Sequence, residues 1–156
     1  MNIDFLMDWS RRVASAGRIT NADVVTLRRH AEDYDGEADG MAVADALFQI
    51  DAGTPEATFE WTSFFVDTLV DILVWGERPT GVVTPAMADW VLARIKLEGE
   101  RAAGSHRALL VALVREAHVC DPRLAAVAFG YRNAEPQQRA PVAMTLGWLD
   151  SSGITI

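Results

Sequence analysis

Phe64-Phe65-Val66-Asp67-Thr68-Leu69-Val70-Asp71-Ile72-Leu73-Val74-Trp75 is the most apolar stretch of this 156-residue chain. Its large side chains recur three and four positions apart, which is the period of a helix with one buried face. A helix that crosses a membrane needs about 20 apolar residues, whereas this stretch is shorter and includes Asp67 and Asp71. It therefore predicts a helix in the core of a globular protein.

The same helical period recurs on both sides of this stretch. Apolar residues three or four positions apart mark six further segments, in which the leading residues are Trp9, Leu27, Leu47, Trp90, Leu109 and Leu124. Alternation of apolar and polar residues over the length of a strand is almost absent, and the connections are short. The sequence predicts an all-α fold, a compact bundle of about seven helices, in one domain over residues 1–156.

Capping residues mark several helix starts. Thr54-Pro55, Thr84-Pro85 and Asp121-Pro122 each put a side-chain oxygen before a proline whose missing N–H costs nothing in a first turn. Thr20 with Asp23 resembles a capping box in which Asp replaces Glu. Ser105 is a fifth candidate for an N-cap.

A glycine followed by a short apolar dipeptide precedes three of the predicted helices. These segments are Gly17-Arg18-Ile19-Thr20, Gly40-Met41-Ala42-Val43 and Gly81-Val82-Val83-Thr84. The dipeptides could pair as a small two-stranded bridge between loops, as in paired helix-loop-helix units. The alternative is that each glycine ends one helix and the next residues begin another.

Charge and cysteine content restrict the possible partners and compartment. The formal net charge of -8 repels phosphate backbones and anionic lipid, and the arginines are scattered, so we expect neither nucleic acid nor a membrane as partner. Cys120 has no second cysteine with which to form an internal disulfide, and the N-terminus lacks the features of a signal peptide. We therefore expect a cytoplasmic protein.

A resemblance covers about half of the chain, from Arg18 to Leu97. Its motifs are Arg18-Ile19-Thr20, Asp23, Leu27-Arg28-Arg29, Ala44-Asp45-Ala46-Leu47-Phe48, Phe64-Phe65-Val66, and Ala88-Asp89-Trp90. In these the chain resembles a family of uncharacterised helical proteins from alphaproteobacteria, which implies no particular activity. At a greater distance, its acidic helix-loop-helix layout is similar to TerB-like tellurite-resistance domains and to EF-hands. The first of these implies divalent-cation binding and a role in stress response.

The acidic loop between residues 32 and 40 is the candidate cation site. Asp35, Glu37 and Asp39 occupy alternate positions before Gly40, like the first, third and fifth ligands of an EF-hand, so the candidate ions are Ca²⁺ and Mg²⁺. The bidentate glutamate expected at the twelfth position of such a loop falls on Ala46. The alternative is a solvated acidic loop.

Two further groups of ionisable residues could carry chemistry. Asp67 and Asp71 are one helical turn apart and could act as an acid–base pair or bind a metal, or they could mark the wet side of a helix together with Ser63. His118 and Cys120 are neighbours, but a metal site needs more ligands than these two. A buried cysteine that acts as a small hydrophobic residue is the alternative to a nucleophile.

No familiar catalytic motif is present, so we do not expect an enzyme. The surplus of apolar residues instead predicts a helical protein-interaction module that binds a protein partner or forms a homo-oligomer, expected to be a dimer. The predicted interface is the segment 133–156, with Leu146, Trp148, Leu149 and Ile154, together with the Phe64–Trp75 helix. The five tryptophans could contribute to such an interface or belong to the core.

Overall fold

The computed structural model describes residues 1–33, 36, 39–54, 58–99 and 101–130. Over these residues the chain forms seven α-helices, which confirms the predicted all-α fold. The helices are α1 (Ile3–Ala16), α2 (Asn21–Asp33), α3 (Gly40–Ala52), α4 (Phe59–Val70), α5 (Pro85–Leu92), α6 (Gly104–Glu116) and α7 (Pro122–Phe129). Four two-residue strands occur in the same part of the chain: β1 (Val82–Val83), β2 (Leu97–Glu98), β3 (Arg101–Ala102) and β4 (Val119–Cys120).

Helix α4 lies at the centre of the bundle. Its Trp61, Phe65 and Leu69 are completely buried, and its most extensive contacts are with α6, which contributes the buried residues Leu109, Leu110 and Leu113. Helices α2 and α3 also pack against α4. The prediction that the Phe64–Trp75 stretch is a core helix is therefore confirmed, except at its last residue.

The Phe64–Trp75 stretch does not keep one helical geometry to its end. At Asp71 the α-helix passes into a π-helical segment, Asp71–Gly76, in which each N–H bonds one residue further back. Leu73 and Val74 remain buried in this segment, whereas the Trp75 side chain is 40% exposed. None of the helices in the described residues is both long and apolar enough to span a membrane.

Three of the five predicted helix starts have the predicted cap. The Thr84 hydroxyl accepts from the Met87 N–H at 3.1 Å, and the Asp121 carboxylate accepts from the Arg123 N–H at 2.9 Å. Thr20 and Asp23 form the reciprocal capping box, since the Asp23 carboxylate accepts from the Thr20 N–H at 2.8 Å and the Thr20 hydroxyl accepts from the Asp23 N–H at 3.3 Å.

The other two predicted caps are wrong. The N-cap of α4 is Thr58, and the Thr54 hydroxyl instead donates to the Ile50 carbonyl at the end of α3. Helix α6 begins at Gly104 after Ala103, which has no side chain that could cap. Ser105 is therefore inside the first turn, and its hydroxyl is free to bond to another helix.

One of the three glycine-led dipeptides, Val82-Val83, does form a two-stranded bridge, but its partner is the strand that precedes α7. β1 pairs in parallel with β4, so that Val82 lies opposite Val119 and Val83 opposite Cys120. Neither Ile19 nor Ala42 belongs to a strand, and Gly40 is the first residue of α3. Within the described residues, the three glycine-led dipeptides therefore do not pair with one another, and Gly17 ends α1 in the left-handed conformation, as the alternative states.

The two strands of this bridge lead into similar helix starts. Each strand is followed by a capping residue and a proline, as Thr84-Pro85 before α5 and Asp121-Pro122 before α7. Arg123 ties the two starts together, because its guanidinium donates to the Asp89 carboxylate at 2.7 Å and to the Pro85 carbonyl at 3.1 Å.

Candidate functional site

The most concentrated group of buried polar side chains in the described residues surrounds the carboxylate of Asp51. The Trp61 indole N–H donates to Oδ1 at 2.9 Å, and the Ser105 hydroxyl donates to Oδ2 at 2.7 Å. Nε2 of His106 lies 3.2 Å from the same Oδ2. One carboxylate therefore contacts three side chains from two other helices.

The ends of three helices place these groups together. Asp51 is in the last turn of α3, Trp61 in the first turn of α4, and Ser105 and His106 in the first turn of α6. A negative charge is unfavourable at the C-terminal end of its own helix and favourable at the N-terminal end of another. Asp51 therefore pairs with the helices that begin beside it.

His106 is bonded on both sides of its ring. Its Nδ1 accepts from the Lys96 backbone N–H at 2.8 Å, so this nitrogen carries no proton, and Nε2 carries the proton that faces Asp51. The ring packs edge to face against Phe48, with ring centroids 5.5 Å apart, and stacks against Phe65, with ring centroids 6.1 Å apart. Packing and polar contacts thus fix the orientation of the ring, with Nδ1 as the acceptor from Lys96.

The pKa of Asp51 lies below its ordinary value of 3.8. Burial acts in the opposite direction and would raise the pKa by itself. The interactions with His106, Ser105 and Trp61 favour the charged carboxylate, and together they outweigh burial. Asp51 is therefore ionised at neutral pH.

Asp51, His106 and Ser105 are the residue types of a nucleophilic serine triad, but their connections differ. In such a triad the histidine lies between serine and carboxylate and removes the hydroxyl proton. Here the Ser105 hydroxyl donates to Asp51, and both nitrogens of His106 already face other groups. The arrangement fits a structural junction of helix ends better than a nucleophile with its base.

A pocket of about 480 Å³ opens beside this group. Its polar wall includes Asp51, Ser105 and His106, and its rim includes the exposed Lys96 and Glu98. Arg94 also faces it. The Arg94 guanidinium is held by the Asp45 carboxylate at 2.9 Å and the Trp90 carbonyl at 2.9 Å, and it stacks over the Trp90 ring at 3.8 Å.

The sequence analysis missed this group. Ser105 is predicted there only as a cap, and neither His106 nor Asp51 is singled out. A usable signal was present, because an aspartate in the last turn of an apolar helix opposes that helix's dipole and so requires a partner elsewhere. The partners themselves come from distant parts of the chain, and spacing does not reveal them.

The predicted cation site is described only at Asp39. Asp35 and Glu37 lie outside the described residues. Asp39 is the N-cap of α3, and its Oδ1 accepts from the N–H groups of Met41 at 3.1 Å and Ala42 at 3.2 Å. Within the described part of the chain, no three His, Cys, Asp or Glu side chains are grouped so that they could hold a metal ion.

Asp67 and Asp71 are both exposed on the same side of α4 and its π-helical extension. Asp67 lies 3.8 Å from the Arg28 guanidinium and accepts from the Ser63 hydroxyl at 3.5 Å. Partial burial, and secondarily the charge of Asp67, raise the pKa of Asp71. The contact with Ser63 fits the predicted polar stripe better than an acid–base pair.

Cys120 and His118, which are neighbours in the sequence, have different environments in the structure. Burial, with a smaller contribution from the Asp121 carboxylate, raises the pKa of the Cys120 thiol to about 11. A thiol with such a pKa is a poor nucleophile at neutral pH. The His118 ring instead stands edge to face against Trp75, with ring centroids 5.4 Å apart.

Trp75, Gly81, His118 and Val119 form a continuous area that we call the Trp75 surface. The Gly81 carbonyl accepts from the N–H groups of His118 at 2.8 Å and Val119 at 3.2 Å. Trp75 is 40% exposed and Val119 is 60% exposed. By contrast, Trp9 and Trp61 are fully buried, so the tryptophans divide between core and surface.

The predicted interface residues have two outcomes. Leu146, Trp148, Leu149 and Ile154 lie outside the described residues, as does the whole segment 133–156. The prediction that the Phe64–Trp75 helix forms an interface is wrong over most of its length. Five of its apolar residues are buried in the core: Phe64, Phe65, Leu69, Leu73 and Val74. Trp75 is the large apolar residue of this stretch that stays exposed.

Comparison with known proteins gives no assignment. No family model matches the chain, no curated protein is significantly similar to it, and no solved structure is significantly similar to its fold. The resemblances to an alphaproteobacterial family and to TerB-like and EF-hand-like domains therefore remain predictions.

Proposed function

We propose that this chain is a non-enzymatic helical module that associates with a second copy of itself through the Trp75 surface. The observation that carries the proposal is the exposure of two apolar side chains, Trp75 and Val119, which both lie beside Gly81. Tryptophan is enriched at the centre of protein interfaces.

The proposed occupant of this surface is the C-terminal segment of the second copy. That segment includes the apolar residues Leu146, Trp148, Leu149 and Ile154, which the sequence analysis assigned to the interface. Apolar side chains gain roughly 25 cal/mol for each Å² that is removed from water, so burial of these side chains against the Trp75 surface would supply the driving force. The net charge of -8 opposes association at long range, which favours contact through an uncharged surface.

Two features support a binding role over a catalytic one. The Asp51 group has the residue types of a hydrolase, but its hydrogen bonds join the ends of three helices. The Cys120 thiol has a pKa of about 11 and so is protonated at neutral pH. The proposal includes a cytoplasmic location, for which a single cysteine without a disulfide partner is the supporting observation.

The test is the solution mass of three variants, measured by sedimentation over a range of protein concentrations. Val119→Lys puts a charge into the Trp75 surface, and Val25→Lys is the matched control, because Val25 is a similarly exposed valine on α2. The third variant lacks residues 141–156. We expect the wild type and Val25→Lys to dimerise, and both Val119→Lys and the truncated chain to remain monomeric.

Two results would overturn the proposal. The first is a wild-type chain that stays monomeric at high concentration and loses stability when residues 141–156 are removed, since the segment would then pack on its own chain. The second is a monomer whose stability the truncation leaves unchanged, since the segment would then have no docking role.

A further inference from the structure

The backbone N–H of Lys96 depends on one side-chain nitrogen. Lys96 lies between α5 and β2, and its N–H donates to Nδ1 of His106 at 2.8 Å. This bond joins the segment that leads into the β2–β3 hairpin to the first turn of α6. The hairpin itself is small, with Leu97 opposite Ala102 and Glu98 opposite Arg101.

The acceptor in this bond is lost when the imidazole is protonated. A neutral imidazole has one donor and one acceptor nitrogen, whereas an imidazolium has two donors. In the protonated ring, Nδ1–H would point at the Lys96 N–H, and two donors at 2.8 Å repel each other. The ring would stay in place, because its other nitrogen faces the ionised Asp51 at 3.2 Å.

We propose that His106 is a pH-operated latch that holds Lys96 over the pocket when its ring is neutral and releases Lys96 when its ring is protonated. Histidine is the side chain that ordinarily titrates between about pH 5 and 8. Protonation exchanges one hydrogen bond for a stronger ion pair with Asp51, so the change is confined to the segment around Lys96 and does not unfold the bundle.

The surrounding charges decide how the latch responds. Asp51 on α3 favours the protonated ring, and Glu98 in β2 lies on the same pocket and acts in the same direction. The positive charges of Arg94 and Lys96 disfavour the protonated ring. The effect of Arg94 is reduced because the Asp45 carboxylate pairs with its guanidinium at 2.9 Å. The closest of these charges to the ring is the carboxylate of Asp51.

Release of the latch changes access to the pocket. Lys96 and Glu98 form part of its rim, and both are exposed. Glu98 stays paired with Arg101 in the hairpin, so the release concerns the segment around Lys96. Asp51, Ser105 and Trp61 keep their mutual bonds in either state. Acid would therefore widen the mouth of the pocket and leave its floor intact.

Nuclear magnetic resonance of the full chain tests the latch directly. At each step of a pH titration, the ¹⁵N shifts of the His106 ring distinguish a neutral ring with an unprotonated Nδ1 from an imidazolium. Over the same titration, the protection of the Lys96 amide against hydrogen exchange, relative to the intrinsic rate, should fall about tenfold, as the loss of one ordinary hydrogen bond implies. The Trp61 indole N–H should keep its protection.

The matched variants are His106→Asn and His118→Gln. Asparagine puts a non-titrating oxygen near the position of Nδ1, so Lys96 should stay protected over the whole range. His118→Gln removes an imidazole ring from the Trp75 surface and should leave the transition unchanged. The latch is overturned if Lys96 protection in the wild type does not follow the ring titration, a measurement that needs no variant to fold, or if His106→Asn shows the same loss.

Discussion

The carboxylate of Asp51 lies 3.2 Å from Nε2 of His106, and both side chains are about nine-tenths buried. A buried charge is tolerated only when its oxygens are paired, and Ser105 and Trp61 complete the set around this one. The end of α3 is in this way joined to the beginnings of α4 and α6. This junction joins three helices and also forms one wall of the pocket of about 480 Å³.

Removal of this carboxylate should be costly. Asp51→Ala leaves the Trp61 indole and the Ser105 hydroxyl without their acceptor, and we expect it to lower the free energy of unfolding by about 3–5 kcal/mol. Asp45→Ala, on the exposed side of the same helix, should cost no more than about 1 kcal/mol. Urea denaturation followed by circular dichroism measures both. Equal effects of the two substitutions would contradict a structural role for Asp51.

The lowered pKa of Asp51 predicts the direction of a pH effect. Because the carboxyl binds its proton more weakly in the folded chain than in the unfolded one, its contribution to stability is complete well above pH 3.8 and is lost as the pH falls through the folded pKa. The stability difference between wild type and Asp51→Asn should therefore shrink below about pH 4. Thermal unfolding between about pH 2 and 6 measures it. A difference that grows as the pH falls below about 4 would have the wrong sign.

Asp39 should behave as a helix cap. Asp39→Ala removes the acceptor for the Met41 and Ala42 N–H groups and should destabilise the chain by about 1 kcal/mol. That loss should be the same with and without millimolar Ca²⁺ or Mg²⁺. Calorimetry and thermal unfolding in each ion distinguish the two roles. A loss of stability that appears only when the ion is present would identify Asp39 as a ligand of the predicted cation site.

Gly81 supports the Trp75 surface in two ways. Its φ of +79° is in the left-handed region, and a Cβ there would lie 3.0 Å from Nδ1 of His118 and 3.3 Å from the Trp75 ring. Gly99 has a similar φ of +72° but open space around it. Gly99→Ala should therefore cost about 1 kcal/mol from backbone strain, and Gly81→Ala about 1 kcal/mol more. Equal costs would show that the His118 and Trp75 side chains move aside for the added methyl group at no cost in stability.

The Cys120 thiol should be slow to alkylate in the folded chain. Its pKa of about 11 leaves almost no thiolate at neutral pH. We expect iodoacetamide to react much faster with the urea-unfolded chain, and the rate for the folded chain to rise up to about pH 11. Mass spectrometry of timed samples follows the reaction. Rapid alkylation of the folded chain near pH 7 would revive the nucleophile hypothesis.

Local chemistry explains which parts of the fold could be predicted. Helical period and caps depend on neighbours along the chain, so the seven helices and the Thr84 cap follow from the sequence. Thr54 fails as the cap of α4 because Thr58 stands directly before the first residue of that helix, and the Thr58 hydroxyl accepts from the Trp61 N–H at 3.2 Å. A choice between two nearby threonines is not visible in residue types.

The candidate site depends on contacts that sequence spacing does not encode. Ser105 and Asp51 are far apart in the chain and meet because three helix ends converge. Trp75 fits the period of a buried helix, yet the passage into π-helical geometry at Asp71 rotates the last turn and leaves this ring at the surface. The helical period therefore predicts the right helix, and its prediction of burial fails at Trp75.

A double-mutant cycle between Asp51 and Ser105 tests the central claim, that Asp51 joins the ends of the helices. Asp51→Ala and Ser105→Ala are made singly and together, and the free energy of unfolding is measured for each. We predict a coupling energy of about 1 kcal/mol or more, and a value near zero when Ser63→Ala, which affects the contact with Asp67, replaces Ser105→Ala. Additive effects of Asp51→Ala and Ser105→Ala would contradict the claim.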